Sequence, residues 1–328
     1  PAAWGSAVFA DEICSEDELP IARLRAAGAV FIGKTNLPEF AVEGYTANRR
    51  FGVTGNAWNP ELTPGGSSGG SVSAVAAGLA AAAIGTDGGG SIRRPCSYTG
   101  LFGLKPTIGR VPRAGGLPQL LLDFEVAGPV ARTVEDARLL YSVMAGPDRA
   151  DPASLAVANA VPADRPLKIL FVEQFGDHPC DPSIRQSVRA AASKLERLGH
   201  TVTRGAMPVS TDALSEFWGA ISKVGLASLC DAVPAMRDKA GPQYLEMADE
   251  GAQVSASAFW AGLETVRKFR SDVSLAFADW DFIMTPSCAA QPWSAGLAYP
   301  TEIDEQPVGP RGHAIYTGWV NACGHPAI

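Results

Sequence analysis

The chain has 328 residues, 46% of them apolar, enough to bury a sizeable core as one large α/β unit or two domains, so dominant disorder is excluded. Its 27 Lys and Arg stand against 34 Asp and Glu, a net charge of -7 with no basic block, which disfavours binding by phosphate neutralisation; no nucleic-acid partner is expected. The apolar run over residues 74–84 is far shorter than the roughly 20 residues of a spanning helix, so it reads as a buried helix and no membrane association is expected.

Taken in chain order, Pro1 opens without a start methionine or a signal-peptide pattern, and the natural N-terminus is expected further upstream. Residues 20–34, PIARLRAAGAVFIGK, read as a short amphipathic helix stopped by Gly28 and running into a buried strand at 30–32. Residues 54–107 are rich in Gly and Ser around one small-residue helix over about 71–83. Thr133 followed by Asp136 makes a capping-box-like start for a helix over about 134–145, closed by Gly146. Pro147, Pro152 and Pro162 then mark a linker. Beyond it, 167–172 reads as a buried strand, 182–198 as an amphipathic helix ending at Gly199, and 200–203 as the next strand. Long helical patterns fill about 210–278, and 282–284 reads as a strand. Cys14, Cys96, Cys180, Cys230, Cys288 and Cys323 lie far apart, with no zinc or redox spacing, so a reduced, cytoplasmic setting is expected.

Residues 64–107 carry the chemistry: two Ser-Gly clusters, GGSSGG at 65–70 and GTDGGGS at 85–91, flank one helix. A nucleophilic hydroxyl needs an exposed position, a base within reach and donors aimed at the developing oxyanion. Gly88, Gly89 and Gly90 lack the Cβ that would stop successive N–H groups from converging on one point, so Ser91 is expected beside an oxyanion hole. GGSSGG alone reads more often as a flexible linker, and the second cluster reverses that preference. Neither cluster continues into the Lys-Ser/Thr pair of a phosphate-binding loop, and the G-x-S-x-G elbow is absent around Ser91. His178, His200, His313 and His325 are all distant in sequence from Ser91.

Together with GKTNLPEF at 33–40, NPELTPGGSSGG at 59–70, GLKPT at 103–107, GPVARTVEDA at 128–137 and GHPAI at 324–328, this stretch resembles the amidase signature family. The resemblance is strong from about 16 to 146 and general from 147 to 310. It implies an α/β fold with a large mixed β-sheet core covered by helices on both faces. One domain would span 1–328, truncated at both ends, with 1–146 the catalytic signature region and 147–310 a variable region shaping the substrate cleft.

The same resemblance implies roles residue by residue. Ser91 is the acyl nucleophile, and the backbone amides of Gly88, Gly89, Gly90 and Ser91 form the oxyanion hole. Ser67, preceded by a cis peptide bond, relays a proton between Ser91 and a lysine, and Ser68 supports Ser67. Asp87 and Arg93 support the nucleophile loop, a purely structural ion pair being the alternative. Ala41 falls where a backbone carbonyl meets the substrate, an ordinary packed loop being the alternative. The catalytic lysine belongs to a segment absent from this sequence and is expected before Pro1; Lys34 and Lys105 match structural positions of the family pattern instead. The implied activity is hydrolysis of a small-molecule carboxylic amide without metal or cofactor, with homodimer formation left open. Two alternatives stand beside it: the A subunit of an amidotransferase, feeding glutamine-derived ammonia to a tRNA-modifying partner, or an inactive scaffold should the lysine be truly absent.

Overall fold

The computed structural model describes residues 2–156 and 164–328. Helix α1 (Leu19–Ala26) carries Pro20 in its first turn and stops before Gly28, whose φ of +93° suits glycine. Residues 30–32 depart from the expected buried strand: Val30 is 86% and Ile32 73% exposed, because no strand of the described residues lies alongside them. Strands β1 (Ala47–Asn48) and β2 (Gly52–Val53) form a short antiparallel hairpin.

Helix α2 (Gly69–Ala76) is shorter than the small-residue helix expected over 71–83. Gly78, at φ +73°, ends it, and the alanines beyond join strand β3 (Ala82–Asp87). Alanine favours helix intrinsically, but pairing with β5 (Val126–Ala131) along all of β3 overrides that preference. Helix α3 (Arg93–Thr99) follows, and β4 (Phe102–Gly103) completes an antiparallel sheet of order β3-β5-β4. In α4 (Val134–Met144) the Thr133 hydroxyl accepts from the Asp136 amide at 3.1 Å, the cap that the sequence announces.

Pro152 opens a 3-10 turn, and Pro162 lies outside the described residues. Strand β6 (Lys168–Phe171), helix α5 (Pro182–Arg197) and strand β7 (Thr201–Arg204) alternate as expected. Helices α6 (Asp212–Ala232), α7 (Met236–Lys239), α8 (Pro242–Ala252) and α9 (Ala256–Ala276) lead to β8 (Phe282–Met284). β6 pairs in parallel with both β7 and β8, so the mixed character of the fold comes from one antiparallel and one parallel three-stranded sheet. The hairpin of β9 (Glu302–Ile303) and β10 (Gln306–Pro307) precedes α10 (Gly318–Cys323).

The main core joins Leu170 and Val172 of the parallel sheet region to Trp218, Phe269, Tyr316 and Trp319, and reaches Phe124 beside the antiparallel sheet. A second cluster of Val72, Val75, Ile92, Cys96 and Val130 packs α2 and α3 onto β5. Among the described residues no helix is long and apolar enough to cross a membrane, and all six cysteines are free thiols.

The tight seat of α2 has a testable sign. A Cβ on Gly70 would run into the backbone of Asn36, which has no flexible end to yield. Helix propensity alone would make Gly70→Ala stabilising by about 1 kcal/mol. The contact predicts a loss of about 1 to 3 kcal/mol instead, read as a lower urea midpoint.

Candidate active site

The two Ser-Gly clusters meet. The Ser68 amide donates to the Ser91 carbonyl at 3.2 Å, and the Ser68 hydroxyl donates to the Thr86 carbonyl, also at 3.2 Å. Ser68 thus fastens the start of α2 to the end of β3, and Ser67 and Ser91 sit on adjoining backbone, 3% and 8% exposed. The Gly66–Ser67 peptide bond is cis, as expected. Residues 63–72 are buried throughout, so this segment is packed structure and not a linker. Glycine is required here by contact: a Cβ on Gly66 would collide with the Tyr45 backbone, and one on Gly69 with the Thr46 side chain.

Asp87, wholly buried at the end of β3, organises the nucleophile loop. Arg93 grips its carboxylate with two bonds, Nε to Oδ2 at 3.0 Å and Nη2 to Oδ1 at 2.9 Å. The Gly90 amide donates to Oδ1 at 2.6 Å and the Ile92 amide to Oδ2 at 3.1 Å, which folds the chain around Ser91. Asn321 of α10 closes the network by donating to Asp87 Oδ1 at 3.0 Å and to the Asp87 carbonyl at 2.7 Å, while its own oxygen accepts from Arg93 at 2.6 Å. Burial opposes ionisation of Asp87, but the Arg93 charge and hydrogen bonds, aided by Lys105 and Asn321, hold the carboxyl well below its usual range.

This network gives Gly90 a task other than the expected one. Its N–H is committed to Asp87, so it is not free to meet an oxyanion, whereas the amides of Gly88, Gly89 and Ser91 meet no acceptor among the described residues. Gly90 also has a φ of +116°, and a Cβ there would strike Thr317 Oγ1 and Arg94 Nη1. The Gly89 carbonyl points the other way, accepting from Thr317 Oγ1 at 2.7 Å and from Arg94 Nη1. The Trp218 indole packs beside this turn, 3.4 Å from the position of a Cβ on Gly89.

Ala41 lies in a loop with consecutive left-handed residues, Phe40 at φ +59° and Ala41 at φ +60°, a costly arrangement for non-glycine residues. The buried Glu39 carboxylate anchors it by accepting from the Ser6 hydroxyl at 2.6 Å and the Gly241 amide at 3.2 Å. The Phe40 ring locks edge-on against Trp4 and Tyr244. Of the two lysines considered, Lys34 is exposed and acts electrostatically on Asp17. Lys105 is fully buried; desolvation, then the Arg93 charge, push its ammonium down to about 7, and its Nζ donates to the Pro106 carbonyl at 2.9 Å. No group of described His, Cys, Asp or Glu residues is placed to hold a metal ion.

Thr317, Asn321, Arg94, Trp218 and His313 were not singled out by sequence reasoning, and nothing local distinguishes them. His313 is 3% exposed, with neither ring nitrogen hydrogen-bonded. Desolvation, then the charges of Arg94 and Arg311, push its pKa down to about 3.

Two outcomes follow. Asp87→Ala leaves Arg93 buried without its partner and should cost about 3 to 5 kcal/mol in urea unfolding, as for other broken buried pairs. His313 titrates near 6.5 when unfolded and near 3 when folded, so the unfolded chain binds the extra proton between those values. The His313 contribution to stability is therefore full above about pH 6.5 and is lost as the pH drops toward 3. His313→Gln should flatten that decline between pH 7 and 4.5, a window in which Asp87 stays ionised and contributes no slope.

Comparison with known proteins fits this geometry. The Amidase family model matches residues 1–328. The A subunit of glutamyl-tRNA(Gln) amidotransferase from Synechococcus sp. (strain WH7803) is 45% identical over 206 residues, covering 60% of this chain and 42% of that protein. Its counterpart in Alkaliphilus metalliredigens is 33% identical over 98% of this chain and 71% of its own length. The match thus spans less than half of the former relative. Among solved structures, 6-aminohexanoate cyclic dimer hydrolase superposes with a TM-score of 0.85 at 29% identity, over 99% of this chain and 73% of its own. A bacterial aryl acylamidase described as an amidase signature enzyme gives 0.83 at 28% identity, over 95% and 68%. With a family model matched from end to end and the paired serine clusters folded against each other, this chain belongs to the amidase signature family.

Proposed function

We propose that the protein is an amidase that hydrolyses a carboxylic amide to the acid and ammonia or an amine, through an acyl-enzyme on Ser91. The observation that carries this reading is the contact of the Ser68 amide with the Ser91 carbonyl. It joins two buried serine segments remote in sequence, beside amides that meet no acceptor among the described residues. Ser91 Oγ attacks the amide carbon while Ser67 accepts its proton and passes it to the lysine that this family's chemistry uses. Charge gathering on the carbonyl oxygen is met by N–H groups of Gly88, Gly89 and Ser91, preset by the Asp87 network and so needing no reorganisation. The relay then returns a proton to the leaving nitrogen as the C–N bond breaks. Water activated along the same path opens the ester, releasing the acid and regenerating Ser91. In this reading Asp87 and Arg93 are positioning residues, Ser68 holds Ser67 in place through β3, and Ala41 offers backbone to the substrate nitrogen.

A second reading, the A subunit of an amidotransferase releasing ammonia from glutamine for a tRNA-modifying partner, is supported by the names of the 45% and 33% identical relatives. Product assays separate the two. Full-length protein alone should release ammonia or amine from a panel of simple amides. Ser91→Ala should lose about a thousandfold or more in kcat, the scale seen when an acyl nucleophile is removed. Retained turnover in Ser91→Ala sinks the nucleophile assignment, and glutamine hydrolysis that needs a partner protein selects the amidotransferase.

A further inference from the structure

Trp218 is the wall between the triglycine turn and a second cationic centre. Its indole lies 3.4 Å from a Cβ position on Gly89 and 3.7 Å from one on Gly318, and the Arg311 guanidinium carbon stands 5.8 Å from its ring centroid. Arg311 is therefore separated from the Gly89 backbone by one indole. Solvent reaches its side chain, yet surrounding protein desolvates it strongly, and this, with the nearby Arg94 charge, pushes its pKa down to about 10.

The charges around Arg311 are unbalanced. Arg93 and Arg113 each hold carboxylates in ion pairs, but among the described residues Arg311 forms none. Glu43 acts on Arg311 only at longer range and is itself desolvated, which raises its pKa. Arg94 adds a second positive charge, spent on the Gly89 carbonyl and Thr317 at 2.8 Å, with its Nε unpartnered. His313 Nε2 lies 2.6 Å from a Cβ position on Gly44, with Arg94 Nη2 3.8 Å from the same point, so an unpartnered buried imidazole borders this region. Two guanidinium groups, a neutral imidazole and one distant carboxylate leave room for one more anion.

We propose that Arg311 is a specificity-determining residue that binds a carboxylate of the substrate, so that the preferred substrates are amides carrying a free carboxylate a few bonds from the scissile carbonyl. The inference rests on the amide hydrolysis proposed above and names its substrate class. A guanidinium matches a carboxylate with two parallel hydrogen bonds, a geometric fit that a point charge lacks. Arg311 begins the short segment that carries Thr317 and Asn321, the residues fixing the nucleophile loop, so carboxylate and scissile carbonyl would be held by one rigid stretch. A neutral amide of the same length would leave the guanidinium unpaired in a desolvated site, which is where discrimination arises.

The test compares malonamate, succinamate and glutaramate with their methyl esters as amide substrates of the full-length protein and of Arg311→Gln and Arg311→Lys. Wild type should favour at least one free acid over its ester in kcat/KM. That ratio should fall about tenfold to a hundredfold in Arg311→Gln, carried mainly by KM, with Arg311→Lys between, as expected for hydrogen bonds to a charged group. A ratio unchanged by Arg311→Gln, or no acid preferred, overturns the proposal while leaving amide hydrolysis standing. Should no amide be cleaved, the functional reading fails separately, and calorimetry with malonate, succinate and glutarate decides: binding about tenfold tighter to wild type than to Arg311→Gln supports the carboxylate site, and equal or absent binding overturns it. Urea midpoints of both variants confirm that they are folded.

Discussion

The Asp87 carboxylate is the constraint on which the site depends. In the buried position at the end of β3 it accepts from the Gly90 and Ile92 amides, from Arg93 and from Asn321, and each donor belongs to a different part of the turn or to α10. An isolated carboxylate at that depth would not stay ionised, and an isolated Arg93 would be equally unwelcome. Together they satisfy each other and force the chain between them into a tight loop that displays Ser91. The same network fixes which glycine amides remain available, because it takes the one from Gly90.

The second constraint is closeness. α2 is built from Gly, Ser, Val and Ala, and its first turn touches Thr46, Asn36 and β3 at distances that leave no space for a side chain. Close approach sets Ser68, and with it the adjoining Ser67, against the Ser91 backbone, and the cluster of Val72, Val75, Ile92 and Val130 supplies the apolar burial that keeps the approach permanent. Trp218 borders the triglycine turn, and the loop of Phe40 and Ala41 packs separately beside α8. They are held by helices whose own sequence reads only as core: Trp218 stacks on Phe124 at 5.6 Å, and Phe40 packs on Tyr244 of α8.

Charge completes the arrangement. Around the nucleophile loop every buried cation has oxygen acceptors, whether the carboxylate of Asp87 for Arg93, the Gly89 carbonyl for Arg94 or the Pro106 carbonyl for Lys105. Arg311, beside the Trp218 ring, forms no ion pair among the described residues, although the chain as a whole carries a net charge of -7. Net charge argues against polyanionic partners; it carries no information on the sign of the field inside one cleft.

The sequence by itself determined the elements whose signals are local. The Thr133 cap of α4, the glycine stops at 28 and 199, the alternation of β6, α5 and β7, and the pairing of two Ser-Gly clusters about a small-residue helix all follow from neighbouring residues. Tertiary structure alone decided where α2 ends, because pairing of β3 with β5 outweighs the helix preference of alanine. It left residues 30–32 uncovered, since burial depends on a neighbour and not on apolar character. It also recruited Thr317 and Asn321 to the nucleophile loop, set Trp218 beside Gly89 and placed Arg311 against Trp218. The Thr317 and Asn321 contacts cross more than half of the chain, and a hydrogen bond or a ring contact between residues far apart in sequence leaves no periodicity or spacing for a sequence to display.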